Sequence, residues 1–492
     1  MSAIPFDNSY ARLPETFFSR LQPTAVPTPG QIRVNRVLAE QLGIDPDWLA
    51  SAAGTRMVAG NELPAGADPI ATVYAGHQFG SYNPQLGDGR AILLGEVLDQ
   101  NNRRYDIQLK GSGRTPYSRG GDGRSPLGPV LREYIVSEAM HQLGVPTTRA
   151  LAAATTGEQV ARDQFLPGAV LARVASSHIR IGTFQFFAAT ADLDSLRLLS
   201  NHVTVRHYPE ALATDNPTLA MLQGVVSRQA HLVANWQLLG FIHGVMNTDN
   251  MLLCGETIDY GPCAFMDEFN PDQVFSSIDH AGRYSYRNQP AIAHWNLACL
   301  AQTLIPLLDD DKDKATEIAQ GAIDAFPNQF LQAHTQGMAH KLGLKKIAAD
   351  DNALVEDLFE LMAEHKLDFT LTFRRLADLS DQATLQDNGV GDLFEIPDAL
   401  LPWLARWQSR VAEDAVDSST RQASMYRANP AFIPRNHLVE EAIQAATNND
   451  DFTPFHRLAD VLAHPHQYQR EFARYATAPQ AHQLVRQTFC GT

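Results

Sequence analysis

The chain has 492 residues, 44% of them hydrophobic and 19% charged, enough for two or three cores of an ordinary globular protein. Its formal charge of −16, from 55 acidic and 39 basic residues, disfavours nucleic acid as a partner. No run of about 18 apolar residues reads as a membrane span, and Met1–Tyr10 lacks the basic and apolar regions of a secretory signal. Cys254, Cys263, Cys299 and Cys490 form no C-x-x-C pair, which argues against structural zinc. The first three read as buried or incidental thiols in a reducing compartment, and Cys490 as an exposed one whose redox role stays open.

In chain order, residues 1 to about 70 are rich in Pro and Ala, with one helix expected near 34–42. Ala91–Val97 is an apolar run. Tyr105–Lys110 alternates, with Tyr105, Ile107 and Leu109 on one face and Asp106, Gln108 and Lys110 on the other. Asn101-Asn102 between them suits a hairpin turn. Pro129 can open a helix that runs to Leu143 and stops at Gly144. A long apolar helix is expected over Leu219–Leu239, ending at Gly240. Short strands are expected at Met251–Cys254 and Glu256–Ile258, around a turn at Gly255. Beyond about 290 the pattern is helical, as at 353–365 and 438–447. Asp309–Asp313 reads as a solvated loop or helix end.

Charge is unevenly spread. Residues 90–132 carry eight basic side chains and four acidic ones, a local +4 inside an acidic protein, which marks an anion site. Gly87 and Gly89 precede a strand and would let backbone N–H groups approach a phosphate. Lys110 ends the next strand on its polar face. Glu133, on the following helix among Val130, Val136 and Met140, needs a cation if it is buried. Lys110 is the natural partner; the alternative is an exposed Glu133 pairing with Arg132. The insert 111–124 holds five Gly and three Arg besides Asp122, flexible and cationic enough to wrap a polyphosphate.

The most informative stretch is His243 to Leu253, followed by Asp259-Tyr260-Gly261. A protein-kinase catalytic loop has an Asp base five residues before a metal-binding Asn, and then an Asp-Phe-Gly that supplies a second ligand. Here Asn250 stands five residues after Val245, so an aliphatic side chain occupies the place of the base. Asn250 and Asp259 offer the hard oxygen ligands that magnesium prefers. Asp249 is the best remaining proton acceptor, or else a third ligand or a loop cap. His243 reads as structural. A metal site without its usual base implies an inactive protein or a different phosphate chemistry.

The chain resembles the selenoprotein O family, a kinase-like family. The resemblance is carried by Tyr74–Gly80, Leu86–Arg90, Gln108–Arg119, Asp122–Arg124, Leu131–Glu133, His243–Asn250 and Ile258–Gly261. It implies an α+β, protein kinase-like bilobal fold. The expected parts are an N-terminal extension (1–73), a β-rich small lobe with nucleotide-binding loops (74–190), a helical large lobe with the catalytic loop and metal site (191–345), and a helical C-terminal extension (346–492). It implies a protein adenylyltransferase that moves AMP from ATP, bound inverted relative to kinases, onto Ser, Thr or Tyr hydroxyls of proteins, itself included. Pyrophosphate would leave and Mg2+ or Mn2+ would assist. By resemblance, Lys110, Arg173 and Arg180 contact the phosphates, and Gly87, Gly89, Arg90, Asp122 and Gly123 line the nucleotide site. Asp249 accepts the proton, Asn250 and Asp259 hold the metal, with Asp259 beside the nucleotide, and Glu133 supports Lys110. Some members carry selenocysteine near the C-terminus, where this chain has Cys490. A bacterial, cytoplasmic enzyme is expected. The rivals are an ATP-dependent phosphotransferase and a non-catalytic nucleotide-binding scaffold. Asn250 and Asp259 speak against the scaffold, and Val245 against the phosphotransferase.

Overall fold

The computed structural model describes residues 4–380, 391 and 393–489; Cys490 lies outside them. Strands come first and helices second, so the fold is mixed, with one large sheet in the N-terminal part of the chain. The strands are β1 (Phe18–Arg20), β2 (Gly30–Val34), β3 (Ile70–Thr72), β4 (Gly76–Gln78), β5 (Ser81–Asn83), β6 (Ala91–Leu98), β7 (Arg104–Lys110), β8 (Ser125–Pro126), β9 (Arg149–Ala161), β10 (Phe165–Ala175), β11 (Phe241–Ile242) and β12 (Ala264–Phe265). Eight form one antiparallel sheet in the order β1-β3-β6-β7-β10-β9-β2, with β8 paired to β10. β4–β5 and β11–β12 are separate two-stranded pairs.

The expected alternation of β7 is what the sheet uses. Ile107 and Leu109 are buried in an apolar layer with Leu38, Leu42, Leu49 and Met57. These come from α1 (Arg36–Gln41), α2 (Pro46–Leu49), α3 (Ala52–Val58) and the turn after α1. Each such side chain contributes about 1.5–3 kcal/mol. The 1–70 segment therefore covers one face of the sheet and supplies two of its strands. The opposite side of β7 presents Asp106, Gln108 and Lys110. The β6–β7 turn closes with Asn102 at a positive φ of 59° and Asp99 N donating to Arg103 O at 2.8 Å.

α4 (Leu127–Gln142) starts two residues before Pro129 and is followed, after its C-cap Leu143, by Gly144 at φ 81°. Its Leu131 and Ile135 pack with Ala153 and Leu171 of the sheet, and with Leu438, Ala442, Phe455 and Leu458. Those last four belong to α15 (Asn436–Asn449) and α16 (Thr453–Leu462), so the last long helices return to α4. Arg132 follows them, with Nη1 donating to Asn436 Oδ1 at 2.8 Å; it is not the partner of Glu133.

α5 (Ile181–Ala189), α6 (Leu193–His207), α7 (Pro217–Leu239), α8 (Gln289–Leu308), α9 (Lys312–Asp324) and α10 (Phe326–Lys341) build the main helical core. α7 is capped by Asn216, whose side chain accepts from Leu219 N, and closed by Gly240 in the left-handed conformation. α11 (Asn352–Glu364), α12 (Phe369–Asp378), α13 (Leu401–Glu413) and α14 (Ser418–Ala428) pack around the end of α10. α17 (Ala473–Ala476) is a single turn. Asp311 of the acidic run caps α9 by accepting from Asp313 N and Lys314 N.

Two expectations change. Met251–Cys254 and Glu256–Ile258 are not strands; only the single bridge Met251↔Thr257 forms around Gly255, because Thr257 also pairs with Thr147. And the segment Tyr286–Leu308 is long and apolar enough to cross a membrane by length and composition, at a mean hydropathy of 1.4. Half of it is buried in the protein. Its Gln289 accepts from His243 N at 3.0 Å and donates to Phe241 O at 2.9 Å, and Asn296 donates to Met246 O at 2.8 Å. Those polar contacts are the work of a core helix that braces the catalytic-like loop.

Candidate active site

The polar face of β7 aims at the segment after α7. Lys110 Nζ donates to Glu133 Oε2 at 2.6 Å and to Asp259 Oδ1 at 2.7 Å. β10 runs beside β7 with Arg173 in register with Gln108. Arg173 is buried, and its guanidinium reaches Glu133 Oε1 (3.0 Å), Asp259 Oδ1 (2.8 Å) and Gln108 Oε1 (2.7 Å). Arg180, the N-cap residue of α5, donates to Asp259 Oδ2 at 3.0 Å and to the backbone carbonyl of Asp249. Its guanidinium lies over the Tyr74 ring, 4.7 Å from the centroid, and 3.9 Å from Asp88 Oδ1. Three cations thus converge on one carboxylate.

Asp259 sits at φ 63°, a left-handed conformation that a non-glycine residue adopts at some cost. The turn aims its carboxylate out of the Asp-Tyr-Gly segment while Tyr260 packs inward against Thr147 and Phe241. Burial alone would raise the Asp259 carboxyl, but Lys110, Arg173 and Arg180 outweigh it and hold it well below the ordinary range. Glu133 follows the same balance: burial against Lys110 and Arg173, with a net lowering. Both carboxylates are therefore ionised at neutral pH.

The catalytic-like loop is pinned from behind. His243 is buried, pairs with Ile258 O at 2.9 Å and fixes the loop relative to Asp259, the structural role expected of it. Gly244, at φ 82°, passes so close to Pro262 O that a Cβ would lie 2.8 Å away. Val245 is buried, and its carbonyl accepts from Asn250 Nδ2 at 2.9 Å, which turns the Oδ1 of that amide away from the contact. Asp249 is buried; Oδ2 accepts from Gln78 Nε2 at 3.2 Å, while Oδ1 has no hydrogen-bond partner among the described residues. Burial pushes its carboxyl up to about 6.

The donor set fits a hard divalent cation. Among the described residues no group of three or more His, Cys, Asp or Glu side chains could hold a metal ion. An amide oxygen from Asn250, an ionised Asp259 and the partnerless Oδ1 of Asp249 are the oxygen donors in the loop region. Magnesium takes only one or two carboxylates from protein when phosphates and water complete its shell.

The sequence-expected residues divide into two groups. Lys110, Glu133, Arg173, Arg180, Asp259 and, through its carbonyl, Asp249 are joined in one network. Gly87 and Gly89 flank Asp88, which accepts from Thr72 Oγ1 (2.7 Å) and Gln108 Nε2 (3.4 Å) and so ties the glycine turn to that network. Arg90 follows the turn, half-buried, with its carbonyl accepting from Gly111 N at 2.7 Å. Asp122 and Gly123 belong elsewhere: Asp122 pairs with Arg162 at 2.9 Å, and Gly123 packs on Gly113.

The Gly-rich insert is built for close packing. Gly113 N donates to Gly123 O at 3.0 Å, and a Cβ on Gly123 would meet Gly113 O at 2.1 Å. Arg124, one of its three cations, is engaged by Glu158 at 2.8 Å and by the carbonyls of Thr24 and Ala25. Gly87 itself presses on the Tyr117 ring, where a Cβ would lie 2.4 Å away. The glycines draw the insert onto the turn, so Arg114 and Arg119 are the insert's exposed cations.

Residue patterns do not flag Gln78, Asp88 or Gln108, and Arg173 and Arg180 were named by resemblance alone. One signal was available. An Arg in the small apolar run Leu171-Ala172-Arg173-Val174-Ala175 has to be buried if the run is a central strand, and a buried guanidinium needs carboxylate partners.

A family model described as Protein adenylyltransferase SelO matches residues 1–463. The chain is 60% identical over 488 residues to the protein nucleotidyltransferase YdiU of Rhodopseudomonas palustris strain BisB5, and 59% identical over 488 residues to that of strain BisB18. It is 57% identical over 488 residues to that of Bradyrhizobium sp. strain ORS 278. In each case 99% of both chains is covered.

Proposed function

This chain belongs to the family of the protein adenylyltransferase SelO, and on that premise we propose that it transfers AMP from ATP to Ser, Thr or Tyr hydroxyls of proteins, itself included. The observation that carries the reading is the convergence of Lys110, Arg173 and Arg180 on Asp259, beside a loop with Val245 in the place of the usual base. A γ-phosphoryl transferase needs a carboxylate at that place; an adenylyltransferase needs concentrated positive charge where pyrophosphate leaves.

The acceptor hydroxyl oxygen forms a bond to the α-phosphorus, and the bond from that phosphorus to the β-phosphate oxygen breaks. Asp249, raised to about 6 by burial, is ionised at neutral pH yet basic enough to take the hydroxyl proton. Lys110, Arg173 and Arg180 transfer their hydrogen bonds from Asp259 and Glu133 to the phosphates and stabilise the departing pyrophosphate. Glu133 keeps Lys110 and Arg173 aimed at the site. Asn250 and Asp259 would hold Mg2+ or Mn2+, which supplies charge neutralisation when bound. Gly87, Gly89 and Arg90 line the nucleotide, which lies inverted relative to kinases; Asp122 and Gly123 shape the insert beside it.

The surrounding architecture is a kinase-like pair of lobes, the sheet with α4 on one side and α7 to α10 on the other. The bacterial relatives and the demand for ATP support a cytoplasmic enzyme. Incubation with ATP and Mg2+ followed by intact-mass measurement tests the activity. A gain of AMP is expected; a gain of phosphate alone, or no gain, would refute it.

A further inference from the structure

The motif Tyr74–Gly80 has no part in the chemistry above, yet its hairpin lies directly on the catalytic-like loop. β4 and β5 pair Gly76 with Asn83, His77 with Tyr82 and Gln78 with Ser81. Four successive residues of the hairpin then meet the loop segment 247–249. Gly76 packs on Asp249, so closely that a Cβ would lie 2.7 Å from Oδ1 and 3.0 Å from the aspartate Cβ. His77 N donates to Thr248 Oγ1 at 2.7 Å. Gln78 Nε2 donates to Asp249 Oδ2 at 3.2 Å. Phe79 N donates to Asn247 Oδ1 at 3.1 Å.

The contact is braced on both sides. Thr248 Oγ1 donates to Gln185 Oε1 at 2.6 Å, and Gln185 Nε2 pairs with His77 Nδ1 at 2.8 Å, so α5 holds both hairpin and loop. Tyr284 OH donates to Asn247 Oδ1 at 2.6 Å, from the segment that follows Asp-Tyr-Gly. The turn at Phe79 and Gly80 uses positive φ at both residues, 53° and 84°, which bends the strand back as soon as Gln78 has reached Asp249.

Among the described residues Gln78 makes the one side-chain hydrogen bond to the Asp249 carboxylate, and it is given to Oδ2. Oδ1, buried and without a partner among the described residues, is left as the oxygen for a hydroxyl proton. We propose that the β4–β5 hairpin is a positioning element of the transfer reaction, with Gln78 as the residue that fixes the Asp249 carboxylate so that Oδ1 faces the acceptor hydroxyl. This inference rests on the reading of Asp249 as proton acceptor. Gln78 is a positioning residue; it acts through Asp249. Gly76 serves the same end by leaving room for Oδ1.

The test uses the full-length protein and self-modification from α-labelled ATP with Mg2+. Gln78→Met keeps the length of the side chain and removes the donor; Gly76→Ala pushes on Oδ1 from the other side. Gln78→Met should lower the rate at saturating ATP by roughly 10- to 100-fold, the usual effect of a misplaced catalytic group, while KM for ATP and the melting temperature stay at wild-type values. Gly76→Ala should act in the same sense. Asp249→Asn should be at least as slow, and adding Gln78→Met to it should cause no further loss, because Gln78 has nothing left to orient. A Gln78→Met enzyme at the wild-type rate beside a slow Asp249→Asn enzyme would overturn the role of Gln78 and leave the proton acceptor standing. A fully active Asp249→Asn enzyme would overturn both. A loss in Gln78→Met that appears in KM for ATP or in melting, with the saturated rate unchanged, would overturn the inference in favour of a structural role.

Discussion

Replacing Asp259 by Asn separates two things that the wild-type carboxylate does. In the free enzyme Asp259 is the shared acceptor for Lys110 at 2.7 Å, Arg173 at 2.8 Å and Arg180 at 3.0 Å. A polyphosphate that arrives without metal must take those cations from it and tolerate its charge nearby. One unit charge about 5 Å away, at an effective dielectric of about 20, opposes each unit of ligand charge by about 3 kcal/mol. Solvent screening and rearrangement reduce that figure, so the gain on removing the charge is set at about 1.4 kcal/mol or more, at least about tenfold in affinity. Asp259→Asn should therefore bind ATP more tightly than wild type in the presence of a chelator. With Mg2+ the order should reverse, because the variant has lost the carboxylate ligand, and transfer should fall at least about a hundredfold. Calorimetric titration with and without Mg2+ measures both arms. Unfolding of the variant is checked by melting, since losing one charge of a buried network can cost about 3–5 kcal/mol; the Asn oxygen still accepts hydrogen bonds. A folded Asp259→Asn protein that binds metal-free ATP no better than wild type would refute the idea that Asp259 stands in for phosphate.

Removing Lys110, Arg173 or Arg180 singly to Ala should slow AMP transfer about a hundredfold, about 3 kcal/mol in the transition state. Arg173→Ala should melt lowest of the three, because Arg173 is buried on Glu133, Asp259 and Gln108. Wild-type transfer rates in all three would show that the phosphates bind elsewhere. Val245→Asp should not yield γ-phosphoryl transfer from γ-labelled ATP; efficient transfer would show that the nucleotide is not inverted. Lys341, buried and without a carboxylate partner among the described residues, is lowered by burial from 10.5 to about 7. Its unfolded form keeps the proton to higher pH, so stability should rise between about pH 7 and 10.5, and the full penalty, about 5 kcal/mol, applies below pH 7. The Phe373 ring, 4.2 Å from the ammonium, returns about 1–2 kcal/mol of it. Lys341→Met should therefore be about 3–4 kcal/mol more stable at pH 7 and lose that pH slope; denaturation midpoints across this range would show a flat difference if the reasoning is wrong.

How much of this was legible in the sequence depends on range. Lys110 and Glu133 were readable because each sits on an element with a clear period, a six-residue alternation and a helix with a defined stop. Asp259 and Asn250 were readable from spacing. The β9–β10 hairpin carried no such signal. Residues 150–154 are Ala and Leu, which favour helix locally, and only the sheet neighbours β2 and β10 make them strand. Arg173 was therefore invisible as a site residue until its strand had a register. β4 and β5 are three residues each, too short for any period, and their role lies in contacts with a loop about 170 residues away. The return of α15 and α16 to α4 is equally non-local; their helical pattern was visible, but nothing in it names the surface they cover.

The central claim is that the α-phosphate of ATP, with its adenosine, goes to protein while the β- and γ-phosphates leave together. Parallel incubations with ATP labelled at the α or at the γ position, in Mg2+, test it most directly. The expected result is α label on the protein, γ label recovered as pyrophosphate, and neither on the protein with Asp259→Asn. Protein-bound γ label would contradict it.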